Sequence, residues 1–271
     1  MARAYAGDMA RLPLENRVAV ITGASAGIGA AIARDVVALG AQVVVNARRM
    51  DRLEALVGEL GRSRAIAVAG DCARPETIQR MLDAARDGHG GGSREADLVV
   101  VNAGRGLGGS VMNSDVSKWQ ELINTNYVAA ALLIRESGLR MLKSIGGRTG
   151  PGVVDAPRDI VVLGSVVGKH VSPFSSMYGS TKFALHGLTE GVRREIGPKG
   201  VRVTMVAPGF VESEFQGVAG YDSAWFEEVT QRIGPVLSPQ DVARTVSFIA
   251  QQPPAVHLSE VFMRPTRQDY P

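Results

Sequence analysis

Short apolar runs rich in valine punctuate this chain, and between them apolar residues return every three or four positions over longer stretches. The runs fall at Arg17–Ile21, Gln42–Asn46, Arg64–Ala69, Asp97–Val101, Asp159–Leu163, Val201–Val206 and His257–Met263. Their apolar character is continuous rather than alternating, which predicts strands buried on both faces, as in a parallel sheet. The stretches between them predict helices over 27–39, after Arg48-Arg49, and over 75–86, 117–143, 177–196 and 240–250. Pro75 suits a first helical position, and Leu185, Leu188, Val192 and Ile196 form an apolar stripe that Gly197-Pro198 ends. Strands alternating with helices predict an α/β fold, one doubly wound parallel sheet of about seven strands flanked by helices.

The pattern starts near Glu15. Residues 1–14 (MARAYAGDMARLPL) lack the apolar middle of a signal peptide and are expected to form a flexible extension, with 15–271 as a single domain. Three stretches break the pattern. Residues 88–93 (GHGGGS) predict a surface loop in which His89 is solvated, and 146–158 predict a Gly- and Pro-rich loop. Residues 210–236 mix Phe215, Tyr221, Trp225 and Phe226 with polar residues, and they predict a mobile helical lid.

Composition narrows the function. With 271 residues, 45% of them hydrophobic, the chain can bury one large core. A net charge of +3 without a basic run gives no reason to expect a nucleic-acid partner. No apolar run approaches the ~18 residues of a membrane span. Cys72 is the only cysteine, so no internal disulfide can form, which fits a reducing cytoplasm. No metal site is expected.

The chemistry sits where strands end. Thr22-Gly23-Ala24-Ser25-Ala26-Gly27-Ile28-Gly29 joins the first strand to a helix, an arrangement that offers helix N–H groups to a pyrophosphate. After the second strand, where a carboxylate would accept an adenosine ribose 2′-hydroxyl, the chain has Arg48 and Arg49. An arginine fork suits a 2′-phosphate, and Arg48 is the favoured residue, whereas Arg49 reads equally well as a solvated start to a surface helix. Asp71 and Cys72 end the third strand and fit either an adenine contact or a helix-capping Asp beside a buried small residue. Tyr178 and Lys182, four residues apart on a predicted helix, share one face, and Ser165 lies just past the fifth strand. A lysine ammonium beside a phenol favours the phenolate, and a nearby hydroxyl can hold a carbonyl oxygen. The three side chains suit proton transfer at a carbonyl or alcohol.

Together these residues resemble the classical short-chain dehydrogenase/reductase family, from about Glu15 onward. TGASAGIG (22–29) matches that family's TGxxxGxG, and Asn102-Ala103-Gly104 matches its NNAG with Val101 replacing the first Asn. Asn126, Ser165, Tyr178 and Lys182 match its catalytic tetrad, and Pro208-Gly209 its PG turn. The resemblance implies a Rossmann-type fold, a nicotinamide cofactor, NADP(H) preferred over NAD(H), and a small-molecule carbonyl or alcohol substrate. It implies cofactor contacts from Gly23, Ser25, Gly27, Ile28, Gly29, Arg48, Asp71, Cys72, Asn102, Ala103, Gly104, Tyr178, Lys182, Pro208, Gly209, Val211 and Ser213, the last where the family usually has Thr. It implies that Asn126 positions a water and that the protein is a homo-oligomer, a tetramer or dimer. The ending VHLSEVFMRPTRQDYP is similar to an NADP-dependent subgroup that includes 3-hydroxy acid and clavulanate dehydrogenases. The alternative on the same fold is a non-catalytic NADP(H)-binding sensor. Such proteins often lose the tyrosine or lysine, and both are present here.

Overall fold

The computed structural model describes residues 12–88, 93–170, 172, 174–220 and 223–269. Seven strands form one parallel sheet: β1 Val18–Thr22, β2 Gln42–Ala47, β3 Ala65–Ala69, β4 Leu98–Val101, β5 Asp159–Leu163, β6 Arg202–Pro208 and β7 Glu260–Met263. Their spatial order is β3-β2-β1-β4-β5-β6-β7. The chain builds outward from β1 to one edge, returns beside β1, and builds to the other. The reversal leaves a crevice beyond the C-terminal ends of β1 and β4, because the helices leaving these strands pack on opposite faces.

Helices α1 Gly27–Ala38, α2 Met50–Leu60 and α9 Pro239–Ala250 cover one face, and α3 Pro75–Asp87, α5 Ala129–Ile145 and α6 Ser176–Ile196 cover the other. Between them, α4 Trp119–Ile123 precedes α5, while α7 Phe215–Ala219 and α8 Ser223–Ile233 follow β6. The continuous valine runs are explained by this layering. In β1, Ala19 and Ile21 join the core under α1 and α9, while Val18 and Val20 join the core under α3, α5 and α6. A strand with helices on both faces has no polar side to show.

Most predicted boundaries hold to within a residue or two. The helix predicted over 117–143 is instead built in pieces: a 3₁₀ turn at Val116–Lys118, α4, a π-helical turn at Asn124–Val128, and α5. The expected loop over 146–158 contains a 3₁₀ turn, Gly150–Val154, that buries Val153. The lid stretch contains α7 and α8, as its helical reading predicts. The end of the expected N-terminal extension is tied down: Leu14 is buried and its N–H donates to the Leu39 carbonyl at 2.8 Å. Residues 1–11, His89 and Tyr221 lie outside the described residues.

At the opposite end of the sheet from the crevice, buried charges join four strands. Arg17, just before β1, donates to Asp97 Oδ1 at 2.7 Å and to Asp159 Oδ2 at 2.8 Å. Arg202 donates to both Asp159 oxygens at 2.7 and 2.9 Å, and to the carbonyls of Gln252, Pro253 and Val256. Asp159 is 1% exposed, and each arginine is 6% exposed, so every charge is held by partners rather than water.

Candidate active site

A cleft of about 1650 Å³ opens along the C-terminal strand ends. Its first wall is the turn from β1 to α1. Gly23 and Gly27 adopt φ +68° and +54°, a region that disfavours a side chain. A Cβ on Gly29 would lie 2.5 Å from the Gly23 carbonyl oxygen, so only glycine lets the helix start so close to the turn. α1 has no side-chain cap and no acid in its first turn. Its leading N–H groups therefore suit an anion.

Thr22 fastens this turn to the next wall. Its Oγ1 accepts from the N–H groups of Asn102 and Ala103, both at 3.1 Å. Asn102 returns the contact, donating from Nδ2 to the Thr22 carbonyl at 2.8 Å. The Asn-Ala-Gly segment after β4 is thus held against the glycine turn by reciprocal hydrogen bonds.

The arginines after β2 diverge. Arg49 Nη2 donates to Ser25 Oγ in the glycine turn at 3.0 Å. The Arg48 side chain is 76% exposed and lies 3.6 Å from Glu121 on α4. After β3, Asp71 Oδ1 accepts from the Ala73 N–H at 2.9 Å, closing a turn before α3. Cys72 is buried, and burial pushes its thiol up to about 11.

The floor of the cleft is formed by β5 and α6. Tyr178 is 8% exposed, and its ring tilts against Phe215 of α7 at 5.7 Å. Lys182 is 6% exposed; its Nζ lies 5.9 Å from the Tyr178 ring centroid and donates to the Leu163 carbonyl at 2.9 Å. Burial brings the Lys182 ammonium down to about 8. Ser165 caps a short 3₁₀ turn, where its Oγ accepts from the Val167 N–H at 3.4 Å and donates to the Pro208 carbonyl at 3.5 Å. Both contacts are long, leaving the hydroxyl able to turn toward a ligand.

Asn126 lies in the π-helical turn and is buried behind this floor. Its Oδ1 accepts from the Arg105 N–H at 2.8 Å, and its Nδ2 donates to the Arg105 carbonyl at 2.9 Å and to Thr181 Oγ1 at 3.1 Å. The side chain therefore pins the segment after Asn-Ala-Gly to α6, one residue from Lys182. The roof comes from the end of β6 and the lid. Ser213 packs over Gly27, a Cβ on which would meet Ser213 Cβ at 3.5 Å, and Ser213 Oγ accepts from the Phe215 N–H at 3.3 Å. Val166, Val167, Phe174, Phe210, Phe215 and Phe226 give the substrate end an apolar lining.

The short chain dehydrogenase family model matches residues 17–222 of this chain. The chain belongs to the short-chain dehydrogenase family. Dehydrogenase/reductase SDR family member 11 of Bos taurus is 32% identical over 263 residues, covering 93% of this chain and 97% of that protein. Among solved structures, the closed form of serine dehydrogenase complexed with NADP+ has a TM-score of 0.80 at 26% identity, covering 93% of this chain and 96% of that one. The 3-ketoacyl-(acyl-carrier-protein) reductase of Brucella melitensis complexed with NADH also has a TM-score of 0.80, at 23% identity, covering 94% and 99%. That second likeness concerns the fold alone.

In this short-chain dehydrogenase the predicted site residues converge. Gly23, Ser25, Gly27, Ile28, Arg48, Asp71, Cys72, Asn102, Ala103, Gly104, Ser165, Tyr178, Lys182, Pro208, Gly209, Val211 and Ser213 all line the one cleft. Gly29 and Asn126 stand behind its walls. Several neighbours escaped the sequence reading. Arg105, just after Asn-Ala-Gly, is largely buried and ion-paired with Glu121. His186, one turn beyond Lys182, is 6% exposed and packs beneath the Ser165 turn, its Nε2 3.3 Å from the Ser165 carbonyl oxygen. Its place on the Tyr178–Lys182 face of α6 was a signal; the absence of a partner in sequence hid its role. Arg49, for which a phosphate contact and a solvated helix start read equally well in the sequence, reaches Ser25 in the folded turn. Among the described residues no helix is long and apolar enough to cross a membrane, and no group of His, Cys, Asp and Glu could hold a metal ion.

Proposed function

We propose that this protein is an NADP(H)-dependent oxidoreductase that interconverts a carbonyl and a secondary alcohol, acting on the CH–OH group. The observation that carries the reading is the convergence of Tyr178, Lys182 and Ser165 on the cleft floor, beside a glycine turn suited to a pyrophosphate. A bound nicotinamide would supply or receive the hydride. Ser165 Oγ holds the substrate oxygen, and Tyr178 gives that oxygen its proton in reduction or takes it in oxidation. Lys182 stabilises negative charge developing on the Tyr178 oxygen, and with an ammonium near 8 it can itself exchange a proton at ordinary pH. Asn126 keeps the Arg105 backbone and Thr181 fixed around Lys182.

The preference for NADP(H) rests on Arg48 and Arg49, which follow β2 at the positions where a carboxylate would accept a ribose hydroxyl. The apolar lining favours a substrate whose carbonyl is flanked by hydrocarbon. The likeness to serine dehydrogenase agrees with the similarity of the Arg264-Pro265-Thr266 ending but does not choose among substrates. A homo-oligomer is part of the proposal, because Leu139 on α5, Phe183 on α6 and Phe248 on α9 are exposed at 49%, 41% and 57%. Light scattering that returned a monomer would remove it. A cytoplasmic setting fits a lone, buried cysteine.

The test is NADPH and NADH consumption against aldehydes, ketones, quinones and 3-keto acids, and NADP+ reduction with the corresponding alcohols. Tyr178→Phe should lower turnover by about 10²–10⁴-fold with NADPH still bound. Arg48→Ala should weaken NADPH more than NADH. Unchanged turnover in Tyr178→Phe would refute the role of the tyrosine. Tight NADPH binding without turnover of any substrate would favour the sensor alternative.

A further inference from the structure

The arginines at the start of α2 are already engaged by an anion from a distant part of the chain. Glu214, the residue immediately before α7, accepts from Arg52 Nη1 at 2.7 Å through Oε1 and 2.8 Å through Oε2. Arg49 Nη2 lies 3.5 Å from Glu214 Oε2. The same Arg49 nitrogen donates to Ser25 in the glycine turn. An adenosine ribose lies between such a turn and the end of the second strand, so an arginine touching Ser25 stands at the ribose edge. Glu214 therefore places a negative charge where a 2′-phosphate would bring its own.

We infer that Glu214 is a specificity-determining residue, an internal anion that competes with the cofactor 2′-phosphate for Arg49 and Arg52. This rests on the cofactor reading above. The three side chains are exposed at 45% (Arg49), 41% (Arg52) and 56% (Glu214), so charge rather than packing holds them, and an incoming group can displace the carboxylate. A phosphate monoester carries about −1.5 to −2 charge and outcompetes a single carboxylate, but it then stands close to Glu214 and is repelled. A cofactor with a free 2′-hydroxyl neither needs the arginines nor meets that repulsion. Of the other acids lining the cleft, Glu121 pairs with Arg48 and Arg105, and Asp71 accepts from the Ala73 N–H. Glu214 thus lowers affinity for the phosphorylated cofactor selectively.

Glu214→Gln keeps the size of this exposed side chain and removes its charge. Titration calorimetry would compare NADPH, NADH, adenosine 2′,5′-bisphosphate and 5′-AMP on the wild-type and variant proteins at low salt. The expected result is about two- to tenfold tighter binding of NADPH and of the bisphosphate, given the usual strength of exposed ion pairs. NADH and 5′-AMP should change by less than twofold. The gain should shrink as salt screens it, and should fall when Arg49→Ala and Arg52→Ala are already present, because only the direct repulsion then remains. Unchanged or weaker NADPH binding, or an equal change for all four ligands, would overturn the role of Glu214 and leave the cofactor reading standing. Wild-type protein that bound neither nicotinamide cofactor would overturn both.

Discussion

Replacing Lys182 by Met should make the cofactor-free protein more stable while removing its activity. The two side chains have similar length and volume, so the hole left in α6 is small. What changes is the charge. Burial lowers the Lys182 ammonium from an ordinary 10.5 to about 8, and each unit of such a shift corresponds to about 1.36 kcal/mol. The ceiling on the gain below pH 8 is therefore about 3 kcal/mol. The variant also loses the hydrogen bond to the Leu163 carbonyl, which costs about 1 kcal/mol, so a net gain of about 1–2 kcal/mol is expected at pH 7. The sign of the pH dependence follows from proton counts. Between pH 8 and about 10.5 the unfolded chain holds a proton on Lys182 that the folded protein has released, so wild-type stability rises with pH across that window. The gap between variant and wild type should be full below pH 8, close before about pH 10.5 and then reverse slightly, because the neutral lysine keeps its hydrogen bond. Urea unfolding of both proteins at several pH values, at one protein concentration, measures it directly. A variant less stable than wild type at pH 7, or a gap that ignores pH, would refute the reasoning.

Other expectations are simpler to check. Asp159→Ala should destabilise the protein by about 3–5 kcal/mol, because it leaves the Arg202 guanidinium buried without its carboxylate partner; a urea midpoint unchanged from wild type would contradict this. Cys72, its thiol pushed up to about 11, should be only about one-thousandth thiolate at pH 8 and should react with thiol reagents only after unfolding; rapid labelling of native protein would show the side chain to be open.

Much of this molecule was legible in the sequence because parallel strands and glycine turns are written locally. The valine-rich run ending at Ile21 signals a strand buried on both sides, and TGASAGIG names its turn by residue type. Tyr178 and Lys182 were readable for the same reason, since one helical turn fixes their spacing. What stayed hidden depends on contacts between distant segments. Nothing near Glu214 announces that it will meet Arg52, 162 residues away in the chain. The π-helical turn at Asn124–Val128 interrupts a stretch whose apolar spacing reads as one plain helix, and the interruption is visible only where Asn126 is drawn to Arg105 and Thr181. Arg17 and Asp97 read simply as polar ends of apolar runs.

Those polar ends also proofread assembly. Asp159 is satisfied only when Arg17 from the first strand and Arg202 from the sixth have both arrived, and Arg202 in turn needs the carbonyls of 252–256. A sheet with β6 slipped by one residue would bury the Arg202 guanidinium away from Asp159, and a sheet without β6 would leave Asp159 with Arg17 alone. During synthesis, then, a partial sheet has only the Arg17 half of this network. A prematurely ended product, lacking Arg202 or the carbonyls it meets, should be more open to proteolysis than the whole chain.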